Sequence, residues 1–343
     1  MKAFLVVFAT VATMLVFSSP AFAATYTFAS SINDQGNIVG SYEDSAGIHG
    51  FIDVSGIFTT IDDPAGVGGT VVYGINDSND IVGRYAVPGF VPNPYGSSNQ
   101  IVNGFVYSSG VFSNIIYPAS LPNEYITFAN GIGNNGIIVG NYTQTGSGIR
   151  AGFVYNGGLF SAISEPWADN IVAQSINDSG IIVGYYQDGS GYHGYSDDSG
   201  VFSIVNFPGS TETLAYGINA AGWIVGVYDS GIGEHGFLDE SGSFTTINYP
   251  TATPDGCGTL PTGINNQGVV VGTYCDNLGE HGFEYQNGIY TTVDDPLGIV
   301  ADPPIGAAVP EPATWATILI GVGMVGGGLR MARRKNNLVP IAA

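Results

Sequence analysis

One pattern recurs six times along the chain: Ile-Asn-x-x-Gly-x-Ile/Val-Val-Gly-x-Tyr, starting at Ile32, Ile75, Ile132, Ile176, Ile218 and Ile264. The starts are 43, 57, 44, 42 and 46 residues apart. β-rich units repeating every 40–45 residues read as propeller blades, each too small to bury its faces alone. Each copy divides into four strands, as in Thr70–Gly74, Ile181–Tyr186, the segment opening at His49-Gly50-Phe51, and Phe58–Ile61 closed by Asp62-Asp63-Pro64. The expected fold is therefore all-β, a six-bladed propeller of four-stranded blades over residues 24–300, with an open β-solenoid as the alternative. The 57-residue interval holds an extra loop, Val87–Gln100, and a second insertion runs from Thr251 to Gly258.

The repeated residues have local reasons. Asn33 can accept a bond from backbone two residues on, and Gly36 supplies the left-handed position of a bulged type I turn. Asn79 takes that position in the second unit, and the third has Gly133 in place of Asn but keeps Gly136. On the second strand Ile81, Gly83 and Tyr85 alternate with Val82, so both faces are apolar and both are covered. The glycines at 40, 83, 140, 184, 226 and 272 are expected to admit an aromatic side chain from the neighbouring blade.

The chain's 343 residues carry a formal charge of −21, yet only 10% are charged. Five of its seven cations lie at the ends, so residues 24–308 hold only Arg84 and Arg150 against 27 acids, a net −25. That excludes a nucleic-acid partner, which needs a basic footprint. The apolar content excludes a disordered acidic tail. Residues 1–23 read as a signal peptide, with Lys2 before an apolar core and Ala21-Phe22-Ala23 before a cleavage point between Ala23 and Ala24. At the other end, after a linker at 301–308, Pro310-Glu311-Pro312 precedes an apolar stretch, 313–329, that could form a transmembrane helix. Arg330, Arg333, Arg334 and Lys335 follow as a basic cluster that stays cytoplasmic with the tail 336–343.

The segment 309–335 resembles the PEP-CTERM sorting domain of Gram-negative bacteria. The resemblance implies export through the inner membrane, an exosortase as partner, transient anchoring, cleavage near Pro310–Pro312, and an association with exopolysaccharide and biofilm at the outer surface or in the matrix. The repeats, over roughly residues 25–296, resemble the extracellular HAF family, named for a His-Ala-Phe motif that stands here as His49-Gly50-Phe51, His193-Gly194-Tyr195, His235-Gly236-Phe237 and His281-Gly282-Phe283. This second resemblance carries no established catalytic residues.

Candidate chemistry is sparse. The four histidines fall on separate units and read as structural, each bonded to a turn rather than converging on a metal. Asp62-Asp63, Asp197-Asp198 and Asp294-Asp295 sit at strand ends and read as solvated. Asp77-Ser78-Asn79-Asp80 is an incomplete calcium loop, so no cofactor is assigned and calcium stays an open alternative. Cys257 and Cys275, the only thiols, are expected to form a disulfide in an oxidising compartment. No Ser is flanked by Gly on both sides at two residues, and no metalloprotease or phosphate-loop motif occurs. The expectation is a non-enzymatic surface or matrix protein; the alternative is a glycan-active enzyme on the same scaffold, using the Val87–Gln100 loop with Tyr95, Trp167 and Trp223.

Overall fold

A computed structural model describes residues 26–294 apart from 45, 89–99, 119–124, 145–148, 166–167, 232 and 254–256. The segments expected to be a signal peptide and a linker, the Pro-Glu-Pro triplet, the apolar 313–329 stretch and the basic cluster lie outside these residues, as do Tyr95 and Trp167. No helix among the described residues is long and apolar enough to cross a membrane.

The chain forms six antiparallel four-stranded sheets, each from four consecutive strands paired in order. Blade 1 comprises β1 (Tyr26–Ile32), β2 (Ile38–Asp44), β3 (Gly47–Val54) and β4 (Ile57–Ile61). The first strands of the others are β5 (Thr70–Ile75), β9 (Tyr125–Ile132), β13 (Asn170–Ile176), β17 (Glu212–Ile218) and β21 (Thr259–Ile264). Each first strand adjoins the next, and β21 adjoins β1, so the first strands surround a central axis and the ring closes. This is a six-bladed β-propeller, and closure excludes the open solenoid.

Burial follows from the alternation along the strands. The aromatic of every third strand (Phe51, Phe105, Phe153, Tyr195, Phe237, Phe283) is fully buried, worth about 2–3 kcal/mol each in transfer from water. Both faces of the second strand are covered, as in Ile81, Val82 and Tyr85. The fourth strands, at the outer rim, expose most of their residues in a pattern identical in all six blades.

Two features depart from the sequence reading. The first strand of every blade carries a β-bulge, between Ala29 and Ser31 in blade 1, which sets Ser30, Tyr73, Asn130, Gln174, Tyr216 and Thr262 outside the pairing register with the second strand. The second-strand glycines answer to that bulge and not to a neighbouring blade. A Cβ on Gly40 or Gly226 would collide with the carbonyl of Phe28 or Leu214 on the blade's own first strand, and next with its own third-strand ring, Phe51 or Phe237. The bulge tips that carbonyl over the second strand, and only glycine leaves it room.

Candidate functional site

Antiparallel order puts the first turn of each blade, with the turn between third and fourth strands, on one face of the ring. The hairpins between second and third strands and the links between blades lie on the other. On the turn face the repeated asparagine does two jobs. Asn33 Oδ1 accepts from the Gln35 and Asn37 amides at 3.1 and 2.9 Å, which shapes the turn. Its Nδ2 donates to the Asn76 carbonyl of the next blade at 3.1 Å. The same link runs from Asn76 to Gly133, Asn177 to Asn219, Asn219 to Asn265, and Asn265 back to Asn33. Gly133, lacking a side chain, leaves out the link from blade 3 to blade 4.

A second tier surrounds the axis just outside this ring. Asn266 bonds both carboxylate oxygens of Asp34, through its amide at 2.8 Å and Nδ2 at 2.6 Å. Asn134 bonds Asp77 and Asp178 at 2.7 and 3.1 Å. Asp77, half of the incomplete calcium loop, therefore serves as an inter-blade acceptor, and Asp80 accepts from Asn76 within its own turn at 3.2 Å.

The histidines occupy equivalent places on the loop face of four separate blades. Each packs its ring on the second-strand tyrosine of its own blade, stacked for His49 on Tyr42, with centroids 5.1 Å apart, and for His281 on Tyr274, and tilted for His193 and His235. Each also bonds the segment leaving the blade: His49 to Asp62 at 2.7 Å, His193 to Asn206 at 3.5 Å, His235 to Asn248 at 3.2 Å and His281 to Asp294 at 3.2 Å. Burial works against charge on His49, but the bonds to Asp62 and Asp44 outweigh it and raise its pKa. The bond to Asp294 outweighs burial likewise at His281, with Asp276 adding to it.

The acids are less uniform than a solvated reading allows. Asp62 is exposed, but Asp63 is 6% exposed and caps its own turn by accepting the Ala65 amide at 2.8 Å. Asp197, 8% exposed, accepts the Gly200 amide at 2.6 Å. Both are buried because a tight turn needs a side-chain acceptor aimed at its own backbone. Cys257 and Cys275 are joined in a disulfide that ties the second insertion to the end of β22 (Val270–Cys275). Glu280 is near them, but sulfurs bonded to each other are not thiolate ligands. Trp223 is partly buried and packs against the core between blades 5 and 6.

The strongest concentration of unlike chemistry is one that the sequence reading passed over. Arg84 on β6 (Ile81–Pro88) is 8% exposed, donates Nε to the Tyr73 hydroxyl at 2.7 Å, and lies 5.7 Å from the Phe128 ring centroid. Arg150, at the start of β11 (Arg150–Asn156), bonds the hydroxyl of Tyr185 on β14 (Ile182–Asp188), which also feels Tyr73 across the axis. Tyr185 meets Tyr216 edge-on at 6.3 Å and Tyr192 at 6.0 Å. Burial raises the pKa of Tyr185 against the pull of Arg150, and it raises that of Tyr216 further. On the blade 5 side Glu212 is half-buried; desolvation, reinforced by Asp229, lifts its pKa to about 7 despite a bond from the Tyr192 amide. Each cation of the −25 domain thus bonds a tyrosine hydroxyl, within a group of four tyrosines formed by Tyr73, Tyr185, Tyr192 and Tyr216. The available signal was repeat-internal: Ser41, Arg84, Asn141, Tyr185, Val227 and Thr273 fill one buried position and differ in every blade while their neighbours hardly change.

With the ring and its interior defined, the chain can be compared with known proteins. Residues 308–335 match the PEP-CTERM protein-sorting motif, which implies an exported protein sorted by an exosortase and anchored in the membrane on the way, as in Gram-negative bacteria. No curated protein matches the chain. Among solved structures, a virginiamycin B lyase from Staphylococcus aureus is similar at 12% identity, covering 80% of this chain and 86% of that one with a TM-score of 0.44. The β-propeller domain of the Trilobed protease from Pyrococcus furiosus, described as having an open velcro topology, is similar at 9% identity over 79% and 98%, with a TM-score of 0.43. A putative gluconolactonase is similar at 13% identity over 80% and 96%, with a TM-score of 0.41.

Proposed function

We propose that this chain is a non-enzymatic surface or matrix protein, delivered by an exosortase to the outer surface, whose propeller binds the extracellular polysaccharide of the producing cell. The observation that carries the reading is the sorting motif at 308–335 attached to a rigid closed ring. The resemblance of the repeats to the extracellular HAF family supports the same setting. Packing inside the ring supports a scaffold: Val172, Leu214 and Leu260, from the first strands of blades 4, 5 and 6, form one buried apolar cluster with Tyr185, Tyr216 and Val227. The test is retention of the protein on the producer's own exopolysaccharide, with and without a chelator, beside the matrix of a deletion strain. Retention is expected, and its loss with chelator would assign calcium a bridging role. No retention together with an unchanged matrix would sink the reading.

A second reading, a glycan-active enzyme, draws on Glu212. A half-buried carboxyl raised to about 7 with an aspartate acting on it is the kind of acid that protonates a leaving group. Release of reducing ends from the exopolysaccharide, abolished by Glu212→Gln, would favour the enzyme over the binder.

A further inference from the structure

We propose that the cluster of Arg84, Arg150, Tyr73 and Tyr185 inside the ring is a binding site for a single carboxylate, of the kind carried by an acidic sugar. The starting point is a charge imbalance. A guanidinium taken out of water is costly unless an anion compensates it. Arg84 is 8% exposed, and among the described residues no carboxylate stands within ion-pairing distance of it or of Arg150. The described residues include most of the domain's 27 acids, and none of those pairs with either cation.

The partners that are present are neutral hydroxyls. The Tyr73 hydroxyl accepts a hydrogen bond from Arg84 Nε at 2.7 Å, and Tyr185 accepts one from Arg150. A guanidinium has five N–H donors, so a hydroxyl on one leaves most of the fork able to grip a carboxylate through two parallel bonds. Arg84 and Arg150 come from different blades, and Tyr185, bonded to Arg150, lies close enough to Tyr73, bonded to Arg84, to feel its charge, so the four groups form one cluster. Tyr73, Tyr192 and Arg150 are half-buried, which leaves the cluster open on that side. Their aromatic faces suit a sugar ring better than an inorganic anion.

Charge also limits what fits. At −25 the domain repels anions at long range, and the attraction of two arginines dominates only within about a Debye length, roughly 8–10 Å. A lone carboxylated sugar, a chain end, or a sparsely charged glycan is compatible; a densely charged polyanion is not. Glu212 and Glu234, on the blade 5 side of Tyr192 and Tyr216, restrict the carboxylate to the sector of blades 2 to 4.

The inference deepens the polysaccharide-binding reading and rests on it for the natural ligand, though the site chemistry can be tested separately. The full chain, held in detergent, is titrated calorimetrically with glucuronate, with glucose and with acetate. Saturable one-to-one binding of glucuronate is expected, at least tenfold tighter than acetate, with none for glucose; equal affinity for acetate and glucuronate would assign the site to a free small carboxylate and overturn the sugar. Arg150→Gln and the milder Tyr185→Phe, each checked by circular dichroism, should weaken glucuronate at least tenfold and about threefold. No saturable binding by folded protein, or binding unchanged in both variants, overturns the site. If both variants still adhere to the exopolysaccharide as wild type does, the site fails while the binding reading stands. If glucuronate binds but the polysaccharide does not, the site stands and that reading falls.

Discussion

An asparagine amide offers an acceptor and two donors on one short side chain, and the first turn of each blade uses both kinds. Aspartate could shape the turn but could not donate onward; serine could not span to the next blade. Gly133 is the exception, and its backbone is not in the left-handed region, so a side chain is sterically admissible. A Cβ there would crowd only Asn135 Oδ1, at 3.0 Å, and that oxygen can swing away once the new asparagine takes over the Ile137 amide it now accepts. Gly133→Asn should complete the ring of links, add about 1 kcal/mol and raise Tm by about 2 °C, measured by thermal unfolding. Asn177→Ala, the reverse change one blade on, should cost about 1–3 kcal/mol by orphaning turn amides. A different residue governs pH. Glu212 titrates near 7 when folded and near 4.5 when unfolded, so between those values the folded state keeps a proton that the unfolded state has released. Stability contributed by the neutral acid is therefore full below pH 4.5 and lost as pH rises to 7. Glu212→Gln should flatten that slope and leave the domain about 1–2 kcal/mol more stable at pH 8, after allowing for solvent screening of a half-buried group.

Within a blade, the bulge and the second-strand glycine form one device. The bulge turns a residue out of the ladder toward the axis, its neighbouring carbonyl folds over the second strand, and the glycine receives it. Gly226→Ala places a methyl against the Leu214 carbonyl, a backbone atom that cannot rotate away. The expected cost is about 3 kcal/mol, at the upper end of overpacking. Denaturant titration checks it, and Gly242→Ala serves as a contrast: strained by its positive φ but meeting no atom, it should cost less, about 1 kcal/mol. This pairing shows where the sequence stops being legible. Strand order, turn geometry and the covering of both faces could be read because each leaves a period or a residue preference at a fixed offset. The bulge could not, because it is a register event between two strands and Tyr73 or Tyr216 fits an ordinary strand equally well. The glycines were visible, but their partner was misassigned for want of that register. Arg84 and Arg150 stood out as the domain's only cations, yet their meeting depends on ring closure placing blades 2, 3 and 4 around one axis.

At the scale of the molecule, closure among the described residues is achieved without exchanging a strand between first and last blades. Blade 6 meets blade 1 through bonds equivalent to those at other seams, Asn265 to Asn33 at 3.2 Å and Thr262 to the Ala29 carbonyl at 2.8 Å. These join residues more than 230 positions apart, whereas most other seams join residues some 42–46 apart. The closing seam therefore bears the largest loop-closure cost and gains no extra ladder in return. The net charge of −25 is spread around the same ring, with both arginines inside it, so mutual repulsion pushes every seam apart and the closing seam is the least reinforced. Screening should relieve this. Between 10 and 150 mM NaCl the Debye length falls from about 30 Å to about 8 Å, which shortens repulsion from the width of the ring to that of a single blade. We expect a gain on the order of 1 kcal/mol and a Tm rise of about 2–4 °C, with backbone amides of β1 and β22 the ones most slowed in hydrogen exchange. Chloride is the appropriate salt, because sulfate strengthens apolar burial in any protein. Calcium chloride at equal ionic strength separates the two roles open to a cation: an equal rise means screening alone, and a larger one means a specific site among the carboxylates. A Tm unmoved by either salt would show that packing across the seams, rather than charge, sets the limit on the ring.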